Sequence, residues 1–211
     1  MEILAQIAAK LLEGNEAEVA ALTRQAIAEG LPPGRILDDG LIAGMNTVGT
    51  KFKCHEIYLP DVLLAARAMH AGLELLKPLL IREGIPTRGK VVLGSVQGDL
   101  HDIGKNLVAI MLRGAGFEVV DLGADVAPEH FVDAAQQHGA AVIGMSALLT
   151  TTMPVMGKVV ELLQKRGLNG KIKTIVGGAP VSPAFARQIG ADAHGYDAAN
   201  AVERVSQLVS G

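Results

Sequence analysis

Asp99, His101 and Gly104 lie within Val96-Gln97-Gly98-Asp99-Leu100-His101-Asp102-Ile103-Gly104-Lys105-Asn106 and form the pattern Asp-x-His-x-x-Gly. These residue types at this spacing suit a metal-ligand loop. An imidazole that binds a metal through one ring nitrogen usually donates its other N–H to a carboxylate, which fixes the tautomer and raises the basicity of the ligating nitrogen. Asp99 is placed to do that for His101. Gly104 removes a side chain where backbone has to pass close to a ligand. The same residues also fit a plainer arrangement, in which an Asp caps the following helix beside a half-exposed His.

Two nucleotide motifs are excluded. The spacing of Gly94, Gly98 and Gly104 does not supply the Gly-x-Gly-x-x-Gly of a dinucleotide fingerprint. Read as a phosphate loop, Gly98 to Gly104-Lys105 holds one residue too many, and Asn106 stands where a metal-binding Ser or Thr is needed. Asp99 and Asp102 would also repel phosphates.

The elements that must position this loop are legible on both sides of it. The apolar run Lys90 to Val96 reads as a buried strand, and Asn106 to Leu112 carries a helical pattern. Further strands are expected over 117–122, 140–146, 171–177 and, briefly, 192–195, with helices between them; one starts near Pro128 and ends at Gly139. Such βα alternation predicts a parallel, doubly wound sheet with right-handed crossovers. In that architecture a loop leaving the carboxyl end of a strand is where ligands bind.

Two later stretches extend the pattern. Ser146-Ala147-Leu148 closes the third strand, and Gly177-Gly178 closes the fourth. Asp-x-His-x-x-Gly, then Ser-x-Leu, then Gly-Gly resembles the cobalamin-binding domain of corrinoid-dependent methyltransferases, including the cobalamin-binding module of methionine synthase. The resemblance implies a flavodoxin-like (Rossmann-like) strand order of 2-1-3-4-5 and a cobalamin or related cobamide as cofactor. It makes His101 the axial cobalt ligand in place of the cofactor's own lower base. The cofactor-binding set it implies comprises Gly98, Asp99, Leu100, His101, Asp102, Ile103 and Gly104, together with Ser146, Leu148, Thr150, Gly177 and Gly178; Ser146, Leu148, Gly177 and Gly178 would line a slot for the displaced nucleotide tail. Family members with a His-Asp-Ser relay carry the hydroxyl six residues beyond the Ser of Ser-x-Leu, which here is Thr152. Asp99, His101 and Thr152 are therefore the expected relay, with a Thr methyl where the family has none.

Residues 1–84 read as helices only. Ile3, Ile7, Leu11 and Leu12 share one stripe; Asn15 can cap a second helix through Val19, Leu22, Ala26 and Ile27; a third runs from Arg35 to about Phe52; Pro60 opens a fourth, which Pro78 is expected to kink or shorten. Four helices with short connections predict a bundle. Gly44-Met45-Asn46-Thr47-Val48-Gly49-Thr50-Lys51-Phe52, followed by Glu56-Ile57-Tyr58-Leu59-Pro60, resembles the helical cap of corrinoid proteins. In that family the bundle covers the methyl-bearing face of the corrin, so Met45, Met69 and Leu64 are candidates for that cover, although Met or Leu at helical spacing is usually bundle core. The expected organisation is an N-terminal four-helix-bundle cap over 1–84, a linker at 85–89, and a five-stranded parallel α/β domain over 90–211.

Composition bounds the remaining classes. Apolar residues make up 49% of the 211, yet no uninterrupted run is long enough to span a bilayer, and Met1-Glu2-Ile3-Leu4 lacks a basic signal region. A single Cys among 211 residues excludes an internal disulfide, so a cytoplasmic setting is expected. A net charge of −3, no Trp, two Tyr and four Phe disfavour nucleic-acid binding. Cys54-His55-Glu56 offers three ligand types, but consecutive residues do not converge on one ion; His70, His130, His138 and His194 lack a partner pattern. The resemblance implies a methyl carrier that shuttles between a substrate-specific corrinoid methyltransferase and an acceptor methyltransferase using tetrahydrofolate or coenzyme M, with a reductive activator of Co(II). Such a protein is a component of a methyltransferase system and not a complete enzyme. A cobamide-dependent mutase subunit would lack this cap. A sensor would add a DNA-binding or signalling domain, and a corrinoid storage protein would bind cobamide without methyl exchange.

Overall fold

Short amphipathic helices build the first half of the chain. The computed structural model describes residues 2–84 and 88–210. The chain divides near residue 87 into a helical unit and an α/β unit. The expected linker at 85–89 includes Ile85, Pro86 and Thr87, which lie outside the described residues.

In the helical unit, α1 (Glu2–Leu12) buries Leu4, Ile7 and Leu11 along one stripe. Helix α2 (Glu16–Ala28) starts at Asn15, whose side chain accepts the Glu18 N–H, and buries Val19, Thr23 and Ala26. The buried Thr23 hydroxyl is satisfied by donating to the Val19 carbonyl at 2.7 Å. The third helix is longer and less regular than its periodicity predicts. It runs without a break through α3 (Pro33–Arg35), a π-helical segment (Ile36–Ile42) and α4 (Ala43–Lys53). The wider turn carries the Ala43 N–H back five residues to the Asp38 carbonyl. Helix α5 (Leu59–Arg82) has Pro60 in its first turn, and Asp61 accepts the Tyr58 N–H at 2.8 Å. Pro78 does not shorten it: α5 continues to Arg82, with Leu76 and Leu80 buried on either side of the proline. Their burial offsets the one backbone bond that the ring removes.

The α/β unit is a five-stranded parallel sheet in the order β2-β1-β3-β4-β5, as the resemblance implied. Its strands are β1 (Lys90–Ser95), β2 (Glu118–Asp121), β3 (Val142–Ser146), β4 (Lys173–Gly177) and β5 (Ala193–Gly195). The intervening helices are α6 (Ile103–Gly114), α7 (Pro128–His138), α8 (Pro154–Lys165) and α9 (Pro183–Gln188), and α10 (Ala198–Ser210) follows β5. Helix α7 begins at Pro128 and ends at Gly139 in the left-handed conformation, as the sequence predicts. The core under the sheet is Val92, Ile143, Val176, Phe131, Met156 and Leu163 with their neighbours. Register aligns Ser95, Ser146, Gly177 and Gly195 in one row across the carboxyl ends of four strands. The loops after β1 and β3 therefore leave the sheet side by side, at the point where strand order reverses.

A half-buried ion pair ties the start of α6 to the end of β2. Lys105 Nζ donates to Asp121 Oδ1 at 2.6 Å and to Asn106 Oδ1 at 2.7 Å, and Gly123 N–H donates to the same Asp121 oxygen at 2.9 Å. The Lys105 side chain is 1% exposed and that of Asp121 28%. The two halves of the pair should therefore be unequally costly to remove. Asp121→Ala leaves a dry ammonium with one neutral acceptor and should cost about 3 kcal/mol. Lys105→Met leaves a carboxylate that water still reaches and should cost about 1 kcal/mol. Urea midpoints at constant slope measure both; equal costs would mean that the burial difference does not govern the pair.

Candidate functional site

The loop from β1 into α6 and the loop from β3 into α8 meet at one carboxylate. Asp99 is completely buried. Its Oδ1 accepts the His101 backbone N–H at 3.1 Å and lies 2.8 Å from His101 Nδ1. Its Oδ2 accepts the Leu148 N–H at 2.7 Å and the Leu149 N–H at 3.1 Å, and lies 2.8 Å from Thr152 Oγ1. None of these donors belongs to α6, which removes the helix-cap alternative for Asp99. Burial pushes the Asp99 carboxyl up, but hydrogen bonds from Thr152, His101 and Leu148 outweigh it and hold the group well below the usual carboxylate range. Asp99 is thus an anion that can only accept, so the proton between it and His101 sits on Nδ1. In the neutral tautomer this leaves Nε2 with its lone pair, on a side chain that is 52% exposed.

The backbone of His101 is held from a second direction. Ser95, fully buried at the end of β1, donates its hydroxyl to the His101 carbonyl at 2.7 Å. The Thr152 hydroxyl is also 2.8 Å from the Leu149 carbonyl. With one proton and two equidistant acceptors, it donates to Asp99 or to Leu149, one at a time. The structure brings together Asp99, His101 and Thr152, the three residues of the expected relay, and adds Ser95 and the Leu149 amide, which sequence reasoning did not single out. A hydroxyl ending an otherwise apolar strand was the available signal for Ser95; a backbone amide leaves none.

The other expected residues are distributed as follows. Leu100 and Ile103 are 75% and 78% exposed, and Leu148 and Leu149 are also exposed, so the two loops that meet at Asp99 carry four exposed large apolar side chains. Asp102 accepts from Asn106 Nδ2 at 3.1 Å. Thr150 is exposed on the turn and Ser146 half-buried at the end of β3. A Cβ on Gly104 would meet nothing within 4 Å, so its missing side chain opens space toward solvent. Gly177 and Gly178 have different reasons to be glycine: a Cβ would lie 2.8 Å from the Gly195 carbonyl oxygen at the first and 1.9 Å from the Ala147 carbonyl oxygen at the second. Both closely approach backbone of the same sheet. In the helical unit, Met45 and Met69 are buried and Leu64 is exposed.

Among the described residues, no group of three or more His, Cys, Asp or Glu side chains could hold a metal ion, Cys54-His55-Glu56 included. The donor set suits a different arrangement: one imidazole, oriented by an anion through Nδ1, on a loop that carries exposed apolar side chains. That fits a metal whose other ligands come with the cofactor itself, to which the protein would add one nitrogen. Among the described residues no helix is long and apolar enough to cross a membrane.

Comparison with known proteins agrees with this fit. A family model described as a B12 binding domain matches residues 89–205, and a second with the same description matches residues 3–77. The chain is 41% identical to a corrinoid protein of Desulfitobacterium hafniense over 99% of its own length and 98% of that protein's. It is 42% identical to dimethylamine corrinoid protein 1 of Methanosarcina acetivorans, over 99% of this chain and 98% of the relative. Among solved structures, the methanol:cobalamin methyltransferase complex of Methanosarcina barkeri contains a chain that superposes with a TM-score of 0.87 at 35% identity, covering 100% of this chain and 80% of that one.

Proposed function

Because the chain belongs to the B12-binding corrinoid proteins, we propose that it carries a methyl group between two methyltransferases on a cobamide held by His101. The observation that carries this reading is the His101–Asp99 pair, with Nδ1 engaged at 2.8 Å and the opposite nitrogen left for a metal. When bound, the cobamide supplies the metal that takes a methyl group from a donor and gives it up to an acceptor. The chain's own residues orient and protect. Asp99 holds the tautomer, while Leu148, Leu149 and Thr152 hold Asp99. Ser95 holds the His101 backbone. Leu100, Ile103, Leu148 and Leu149 offer the apolar rim a macrocycle would cover.

The partner reading is a substrate-specific corrinoid methyltransferase as donor subunit, supported by the methyltransferase complex in which the similar chain occurs. An acceptor methyltransferase and a reductive activator complete the cycle. The donor is read as a methylated amine, because relatives at 41–42% identity are dimethylamine and trimethylamine corrinoid proteins.

The test begins with purified protein, cobalamin and a reductant. The reading expects uptake with a histidine-ligated visible spectrum that His101→Gly abolishes, and a further spectral change when dimethylamine or trimethylamine is added with its methyltransferase. Uptake with no response to any donor would favour a storage protein or sensor, and an unchanged spectrum in His101→Gly would remove the ligand assignment. Gly104→Leu gives a second handle. Open space and a better helix former should leave apo-protein stability unchanged or raised by about 0.5 kcal/mol, while cobalamin binding weakens by at least about tenfold. Unaltered affinity would place the cofactor elsewhere.

A further inference from the structure

Asp125 lies on the loop between β2 and α7, outside the relay, and has two unusual properties. Its φ is +57°, making it one of two non-glycine residues in the left-handed region among the described residues. Its two polar handles also fasten to the same neighbouring turn: Asp125 Oδ1 accepts the Gly98 N–H at 2.7 Å, and the Asp125 N–H donates to the Asp99 carbonyl at 3.1 Å. Gly98 has a φ of +84° and immediately precedes Asp99. A left-handed non-glycine residue is unfavourable unless local bonds hold it, and such strain gathers where a site must be pre-formed. The next residue, Val126, pairs with Val96 as an isolated parallel bridge, and its N–H donates to the Ser95 carbonyl at 3.0 Å. The β2–α7 loop therefore grips the whole turn from Ser95 to Asp99.

We infer that Asp125 is a positioning residue for the metal-ligand loop: its carboxylate and amide clamp the backbone on both sides of Gly98-Asp99, at the Gly98 N–H and the Asp99 carbonyl, so that Asp99 enters its buried seat with Oδ1 toward His101. Without the clamp, the buried bonds to Leu148, Leu149 and Thr152 still retain Asp99, but the turn carrying His101 gains freedom. Cofactor binding must then order it. The inference rests on the reading of His101 as the axial ligand and acts on the loop before any cofactor arrives.

Three variants separate the carboxylate from the backbone strain. Asp125→Asn keeps an acceptor and tolerates the left-handed conformation. Asp125→Ala loses the acceptor and keeps the strain, whereas Asp125→Gly loses the acceptor and relieves the strain. We expect faster exchange of the Gly98 amide in the cofactor-free Ala and Gly variants, cobalamin Kd raised about tenfold in both, and near wild-type values in Asn. Wild-type exchange and affinity in Asp125→Gly would overturn the inference, as would failure of Asn to rescue. His101→Gly run alongside tests the underlying reading: if its loaded spectrum matches wild type, the ligand assignment fails; if that control loses the ligated spectrum while Asp125→Ala and Asp125→Gly bind normally, the clamp fails alone.

Discussion

Asp99→Asn should give a folded protein in which His101 is intact but no longer ligates a cobamide. The two carboxylate oxygens have unequal duties. Oδ2 receives the Leu148 and Leu149 amides and lies within reach of the Thr152 hydroxyl; Oδ1 faces the His101 amide and Nδ1. An amide oxygen can satisfy only one side, and keeping the Leu148, Leu149 and Thr152 donors favours the Oδ2 position. The amide NH2 then takes the Oδ1 position and donates to Nδ1, which must become an acceptor, so the ring proton moves to Nε2. A protonated Nε2 cannot coordinate a metal. One backbone donor, that of His101, is left facing another donor, so the expected stability cost is about 2 kcal/mol. Cobamide affinity should fall by about 10- to 100-fold, the usual range for losing the partner of a ligating histidine. Nitrogen NMR of the imidazole in the cofactor-free protein reads the tautomer directly, and the same tautomer in both proteins would sink the argument.

The substitution also carries a pH signature. Because the folded Asp99 carboxyl is lowered from its ordinary 3.8, the stabilisation it provides is fully present above that value and is lost as pH falls through the lowered folded value. Asp99→Asn has no such group, so its loss of stability on acidification should be shallower than that of the wild type. Urea unfolding at a series of acidic pH values measures the difference.

What could be read in the sequence was governed by how local each interaction is. Asp99 and His101 are two residues apart, so their pairing is a property of one turn, and the pattern of residue types carried it. The strand positions followed from apolar runs, and the limits of α7 from Pro128 and Gly139, because each is a local conformational preference. The strand order came from the resemblance alone, since nothing in periodicity specifies which strands neighbour each other. The contacts that complete the site span that order: Leu149 to Asp99, Asp125 to Gly98 and Lys105 to Asp121 join residues on different loops or elements. Two local details differed from periodicity alone. Pro78 did not shorten α5, whose leucines are buried on both sides of it, and the π-helical turn at Ile36–Ile42 has no residue pattern that periodicity could detect.

Gly178→Ala should be the most damaging small substitution in the α/β unit, and the reason lies in the backbone rather than in the cofactor slot the motif suggests. Gly178 has a φ of +124°, which L side chains rarely adopt. A Cβ there would lie 1.9 Å from the Ala147 carbonyl oxygen and 2.9 Å from its carbon. Neither atom is the end of a flexible side chain, so the clash can be relieved only by moving a whole loop. Ala147 cannot move independently: its N–H donates to the Gly177 carbonyl at 3.2 Å, and the next residue, Leu148, supplies an amide to Asp99 at 2.7 Å. Displacing Ala147 therefore disturbs the carboxylate that orients His101. The expected cost is about 4 kcal/mol or more, in the range reserved for strain at a special backbone position. Molecules that still fold should bind cobamide poorly, although the substitution leaves every relay side chain intact. Ala147→Gly should not rescue the variant, because the obstructing atoms are backbone and remain. Urea unfolding followed by circular dichroism checks the stability, and cobalamin titration of the folded fraction checks the site. Gly104→Leu, a larger change at a glycine facing open space, provides the contrast: stable apo-protein with weakened binding there, lost stability here. Wild-type stability in Gly178→Ala, or rescue by Ala147→Gly, would show that the two loops are not locked by this contact.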